Sequence, residues 1–308
     1  MKMMKHRVAI LLTVCCTAVM TLVSCYSEDA LVPTQLNDEP LFDFPQGNSE
    51  SDRTLQQIQE RFGCYAVYRG ITPKLLNRAW VNLYPTMTLV ADEISDAELP
   101  FYVDFLSEHL LSCFDADTFG AFLPRYFFLV KNLHREDNGI AKTHMPIKTD
   151  GVDFWAVSFE SRFLENPVVS ELRRPRLQLA YELILRALDA GLIEIPLNFS
   201  EGIDYETPIC NDFSNPHSEN HFQTRGFVAY VQPDFSVETK SYTVEIAAAK
   251  NQDFLMYVRK MLYSTPEVFE AENGSYDLVM KRYRIVLNCL KTYGVDLSAI
   301  ASGPQPNK

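Results

Sequence analysis

Apolar positions along the chain follow two rhythms. Short runs rich in aromatic and β-branched residues dominate the first half: Cys64-Tyr65-Ala66-Val67-Tyr68, stopped by Gly70, then Tyr126–Leu133 and Phe154–Phe159. Each predicts a strand, the last two buried on both faces. Helical spacing takes over elsewhere. Thr54–Phe62 predicts a short helix. Asp96–Cys113 sets Leu99, Val103, Leu106, Leu110 and Leu111 on one face, with another turn or two through Phe119 and Phe122. A helix from Pro175 to about Asp189 has proline for its first turn and Gly191 for its stop. Another spans Val244 to Tyr263, and Thr265-Pro266-Glu267 supplies a cap and a proline start for a short one. The last runs from Ser275 to Tyr293, with Leu278, Ile285, Val286 and Leu290 aligned and Gly294 as the stop. His134–Gly151 is polar and contains glycine, so it reads as a loop, and Pro196–Thr224 reads as irregular. Strands early and helices late predict an α+β fold: a small mixed sheet packed on helices, with a helical C-terminal part.

The N-terminus has a different pattern. Lys2, Lys5 and Arg7 precede an uncharged apolar run, Val8–Val23, too short and wrongly flanked for a membrane span. Leu22-Val23-Ser24-Cys25 follows and resembles a bacterial lipobox. The expectation is a signal peptide over 1–24, cleavage before Cys25, and acyl chains on that cysteine. Tyr26-Ser27-Glu28-Asp29 is similar to the acidic signal that sends Bacteroidetes-type lipoproteins to the outer face of the outer membrane. Residues 25–52, rich in Pro, Asn, Ser, Asp and Glu, read as a lipid-anchored flexible tether. A single domain over 53–303 and a disordered tail over 304–308 complete the organisation.

Net charge is −12 over 308 residues and becomes more negative once the signal leaves. That excludes nucleic acid and a polybasic grip on lipid, so the anchor must be the acyl group. Of seven cysteines, Cys64, Cys113, Cys210 and Cys289 lie beyond Cys25. An exported chain can pair them, but Cys113 and Cys289 sit among apolar helix positions and read as buried thiols. No C-x-x-C, phosphate-binding glycine loop or G-x-S-x-G elbow occurs.

The helix after Pro175 is apolar nearly all round, which buries Glu182 at its centre. Arg186, four residues on, offers a structural ion pair, and Gln178 lies four residues back. A second reading comes from the wider chain. Phe62-Gly63, the strands Tyr126–Leu133 and Phe154–Phe159, and the helix at Tyr181-Glu182-Leu183-Ile184-Leu185 occur in an order that resembles the zinc metallopeptidase lipoproteins associated with TonB-dependent nutrient import in Bacteroidetes. Gly226-Phe227-Val228-Ala229-Tyr230 is similar to that family's G-F-V-x-x-Y-A, and Asn251-Gln252-Asp253-Phe254-Leu255 to its N-E-D-F-A-E.

The resemblance implies a zincin-like domain. It also implies a site built on H-E-x-x-H, whose two histidines share one helical face toward zinc while the Glu serves as general base. Here those ligand positions are Tyr181 and Leu185, and the third falls on Gln252. Glu182 survives, with Asp253 beside the lost third ligand, and Tyr230 matches a tyrosine able to bond a transition-state oxyanion. Leucine cannot ligate, glutamine replaces a carboxylate poorly, and tyrosine ionises only near pH 10. The expectation is a pseudo-peptidase, with no metal or cofactor where the family has zinc. Its role would be binding a peptide or glycan, or assembly with an importer and its surface lipoprotein. The alternative is an active zinc metallohydrolase with non-standard ligands, for which His217 and His221, four apart, are the candidates. The polar segment after Asn215-Pro216 makes these read as solvated loop histidines. Arg173-Arg174-Pro175-Arg176 reads as a solvated charge cluster.

Overall fold

Alternating burial builds the first layer. The computed structural model describes residues 40–78, 87–209, 215–216, 218–239 and 250–304. The signal peptide, Cys25, most of the tether, Cys210, His217, the start of the helix expected from Val244, and residues 305–308 lie outside them. Strands β1 (Tyr65–Val67), β2 (Met87–Glu93), β3 (Tyr126–Asp137), β4 (Ile140–His144), β5 (Ile147–Lys148) and β6 (Phe154–Phe159) form one sheet. β1, β3 and β6 are parallel, while β2 and β4 add antiparallel to the far half of β3 and β5 to β6. Successive side chains take opposite faces. Phe127, Leu129, Trp155 and Val157 therefore join the main core under the helices. Tyr126, Phe128, Val130, Phe154 and Ala156 form a second core, on which Phe42 and Phe44 pack.

The expected loop His134–Gly151 is mostly strand. β3 runs on to Asp137 and turns through Asn138-Gly139, both at positive φ (51° and 76°), into β4. Asn-Gly is a strong two-residue hairpin signal, and it outweighs the polarity of the flanking residues. β2 was not among the expected strands.

Helices fill the rest. α1 (Glu50–Phe62) starts ahead of the expected Thr54 because Ser49 caps it: Ser49 Oγ accepts from Asp52 N–H at 3.2 Å, and Asp52 accepts from Ser49 N–H at 2.9 Å. The folded body thus reaches back before Arg53, and contacts group the chain from Phe42 onward into one unit. Short helices α2 (Pro73–Leu76), α3 (Leu99–Asp104), α4 (Ala116–Phe119) and α5 (Ser161–Glu165) follow, α3 continuing through a π-turn at Phe105–Leu110. α6 spans Val169–Asp189, so Pro175 lies inside the helix rather than in its first turn; its missing N–H leaves the Glu171 carbonyl without an intrahelical partner there. A two-stranded hairpin, β7 (Tyr230–Val231) and β8 (Glu238–Thr239), precedes α7 (Lys250–Tyr263), α8 (Pro266–Asn273), α9 (Asp277–Thr292) and α10 (Leu297–Ser302).

The arginine cluster is solvated only at Arg174. Arg176 is 2% exposed and donates through Nε to the Ile300 carbonyl at 2.8 Å. Arg173 donates to the Tyr263 carbonyl and Arg174 to the Asp234 carboxylate at 2.5 Å. These bonds tie α6 to α10, α7 and the hairpin. Among the described residues no helix is long and apolar enough to cross a membrane.

Candidate functional site

One side of α6 is left half-open. Leu183, Ile184 and Ala187 are fully buried, but Gln178, Tyr181, Glu182, Leu185 and Arg186 are only partly covered. Their spacing of three and four places them on one face. Glu182 accepts from Arg186 Nε at 3.2 Å. Arg186 also donates to the Thr149 carbonyl at 2.9 Å, and its guanidinium lies 4.6 Å from the Trp155 ring centre. The carboxylate is thus held by its own helix and, through arginine, by the sheet. Gln178 Oε1 is buried without a partner among the described residues.

The β7–β8 hairpin and α7 close the other side. Phe235, at positive φ in the hairpin turn, meets the Tyr181 ring edge-on at 5.9 Å, and Asp234 takes Arg174. Arg259 on α7 fills the space between. Its guanidinium carbon lies 5.5 Å from the Tyr181 ring centre and 4.9 Å from that of Tyr230. Tyr181 and Tyr230 therefore converge on an arginine. Burial pushes the Tyr181 phenol up from its ordinary value, with Arg259 pulling the other way. The Tyr181 phenol gives up its proton less readily than a free tyrosine's, which makes it a poorer metal ligand.

Arg259 is the buried cation that sequence reading missed. It is 9% exposed, and no hydrogen bond or ion pair reaches it from the described residues; Nε is fully covered and unpaired. Its neighbours in burial all have partners. Lys260 meets Glu238 at 2.7 Å and Glu272 at 2.5 Å, Lys148 meets Asp150 at 2.5 Å, Arg176 meets the Ile300 carbonyl, and Arg282 meets Asp253. The signal in the sequence is Arg259-Lys260 interrupting Phe254–Leu262, two adjacent cations in a helix otherwise built for burial.

The remaining expected residues lie apart from this point. Gln252 is exposed in the first turn of α7, about 10 Å along the axis from Arg259. Leu185 is half-buried one turn beyond Tyr181. Asp253 is fully buried and faces α9: it accepts from Arg282 and from Tyr205 Oη at 2.9 Å. Arg282 also donates to the carbonyls of Phe199 (3.0 Å) and Gly226 (2.5 Å), and Tyr257 Oη donates to Gly226 at 2.6 Å. This network holds Phe199, Tyr205 and Gly226 against α7 and α9, so Asp253 is engaged in packing. His221 is not a solvated loop histidine. It is 3% exposed and stacks near Phe222 and Tyr276. Cys64, Cys113 and Cys289 are buried free thiols.

Zinc, which the resemblance implies, does not fit these side chains. A catalytic zinc takes three protein ligands and a water. The three positions supply a neutral phenol, an alkyl group and an exposed amide, and a fixed guanidinium stands against the phenol. Among the described residues no three His, Cys, Asp or Glu side chains cluster as a metal site.

No family model matches the sequence, and no curated protein matches it. Among solved structures, the chain is similar to a crystal structure described as a "putative zinc-binding metallo-peptidase" from Bacteroides caccae ATCC 43185. The match has 9% identity over 85% of this chain and 93% of that one, with a TM-score of 0.47. At that identity and score the likeness assigns no residue a role, and the site is read from its own side chains.

Proposed function

We propose that this chain is a surface lipoprotein, anchored to the outer membrane through Cys25, whose zincin-like cleft binds instead of hydrolysing. The supporting observation is the closure of Tyr181 and Tyr230 on Arg259. In the resembled family those positions serve a metal and its oxyanion. Here the cation is part of the chain. Glu182 is left with Arg186 rather than an acidified water, so it has nothing to deprotonate. A binding role beside a TonB-dependent importer and its surface lipoprotein follows from the resemblance and the expected anchor.

Peptide hydrolysis tests the reading. Full-length protein and its Glu182→Gln variant, incubated with mixed peptides and added zinc, are expected to give the same background turnover. Turnover by the wild type that Glu182→Gln abolishes would establish an enzyme and overturn the proposal.

A further inference from the structure

We infer that the cleft between α6, the β7–β8 hairpin and α7 is a carboxylate-binding site, with Arg259 as the anchoring cation and Tyr181 and Tyr230 as flanking donors. This deepens the binding reading above and rests on it. The argument starts from an imbalance. A guanidinium withdrawn from water needs an anion or carbonyl oxygens, and removing such a partner from a buried pair is strongly destabilising. Elsewhere this chain supplies them: Lys260 has two carboxylates, and Arg282 has one carboxylate and two carbonyls. At Arg259, one residue from Lys260, the described residues supply none, despite an excess of 40 Asp and Glu over 28 Lys and Arg.

What surrounds Arg259 is aromatic. The faces of Tyr181 and Tyr230 offset part of the desolvation through cation–π attraction while leaving the donors unspent. Nε is sealed in, but the two terminal nitrogens are not among the covered atoms. The outward end of the fork is therefore the accessible one. The phenol oxygens of Tyr181 and Tyr230 likewise have no hydrogen-bond partner among the described residues and are not among the covered atoms. Arg259 thus has two tyrosine rings beside it, 5.5 Å and 4.9 Å from its guanidinium carbon, and Phe235 packs edge-on against one of them.

The charge count selects the ligand. A single fixed positive charge flanked by two phenol groups suits a monoanion. A planar pair of oxygens matches the planar fork of arginine. A phosphate dianion would call for more than one cation, and Lys260, next in sequence, is already held by Glu238 and Glu272. The carboxylate can belong to an acidic sugar or to a peptide C-terminus, and the rings can cover either.

The test uses full-length protein and calorimetric titration with D-glucuronate and with N-acetyl-dialanine. D-glucose, the dialanine amide and inorganic phosphate serve as controls. At least one of the two acids is expected to bind and its uncharged counterpart not, and which acid binds names the source. Arg259→Met should weaken that binding on the order of tenfold or more, the scale of a lost charge-assisted bond. Arg259→Lys, which keeps the charge but not the fork, should fall between. Without ligand, Arg259→Met should melt at a higher temperature than the wild type, since an unpaired buried charge is gone. The acid that binds should raise the melting temperature of the wild type most, of Arg259→Lys less and of Arg259→Met least. No binding by either acid, phosphate binding as tight as theirs, or undiminished binding by Arg259→Met would overturn the assignment. Those results leave the absence of hydrolysis untouched, whereas a Glu182-dependent peptidase activity removes the binding-protein reading itself.

Discussion

Glu182 and Asp253 are both acidic residues in buried helices, and the structure gives them different work. Glu182 is 27% exposed at its side chain and its Arg186 partner 34%, so solvent screens the pair. Glu182→Gln should lower stability by less than about 1 kcal/mol, read from urea denaturation. Asp253 and Arg282 are sealed, at 0% and 1% exposure. Asp253→Asn leaves Arg282 a buried charge without its anion and should cost roughly 3–5 kcal/mol. A loss below that of Glu182→Gln would show that the buried Asp253–Arg282 pair does not stabilise the fold. The Glu182–Arg186 pair was legible in the sequence, because a spacing of four on a helix is local. The partners of Asp253 were not: Tyr205 and Arg282 lie 48 and 29 residues away, and only the fold brings them in. Arg259 stayed hidden for a related reason. Sequence shows a cation in an apolar helix, but whether a counter-ion meets it is a tertiary fact.

Helices were legible where an apolar stripe and a cap agreed. Thr265 caps α8 as expected, its Oγ1 accepting from Val268 N–H at 3.4 Å. Helix boundaries differ from the sequence pattern where a cap reaches beyond the apolar stripe, as at Ser49, and where the helix begins before its proline, as at Pro175. The strand content was under-read because β3, β4 and β2 carry polar residues at their far ends, outside the main core. The packing of α7 and α9 around Gly226 depends on one backbone position. Gly226 has φ of 86°, and its carbonyl accepts from both Arg282 and Tyr257. A Cβ there would meet Leu278 Cγ at 2.8 Å. Gly226→Ala should therefore destabilise by about 1–3 kcal/mol through left-handed strain and overpacking. An unchanged denaturation midpoint would contradict this. The α3–α6 packing has its own titrating group. His109 is buried, with Arg176 Nη1 3.4 Å from its Nδ1, and burial lowers its pKa below 6.5; His144, near Ser158 on the sheet, is lowered the same way. The folded chain thus resists protonation that the unfolded chain accepts. Stability from these rings is full above about pH 6.5 and is lost as pH falls through their lowered folded values. Urea midpoints measured from pH 7 to pH 5 should fall, and His109→Gln should flatten the slope.

Across the whole molecule, an α+β body carries a half-open helix face closed by a hairpin and by α7. The α+β class followed from strands gathered before Phe159 and helices after it, a pattern of order that needs no tertiary knowledge. The site's chemistry did not follow, because the residues that meet there come from α6, the hairpin and α7, which lie far apart in the sequence. The central claim is that the positive charge in this cleft belongs to Arg259 and leaves no place for a catalytic zinc. The most direct measurement is elemental analysis of the full-length protein, purified without chelator, incubated with excess zinc and desalted. The account predicts zinc far below one atom per chain, unchanged in Glu182→Gln and in Arg259→Met. One tightly held zinc per chain, lost on substituting residues of the cleft, would contradict it.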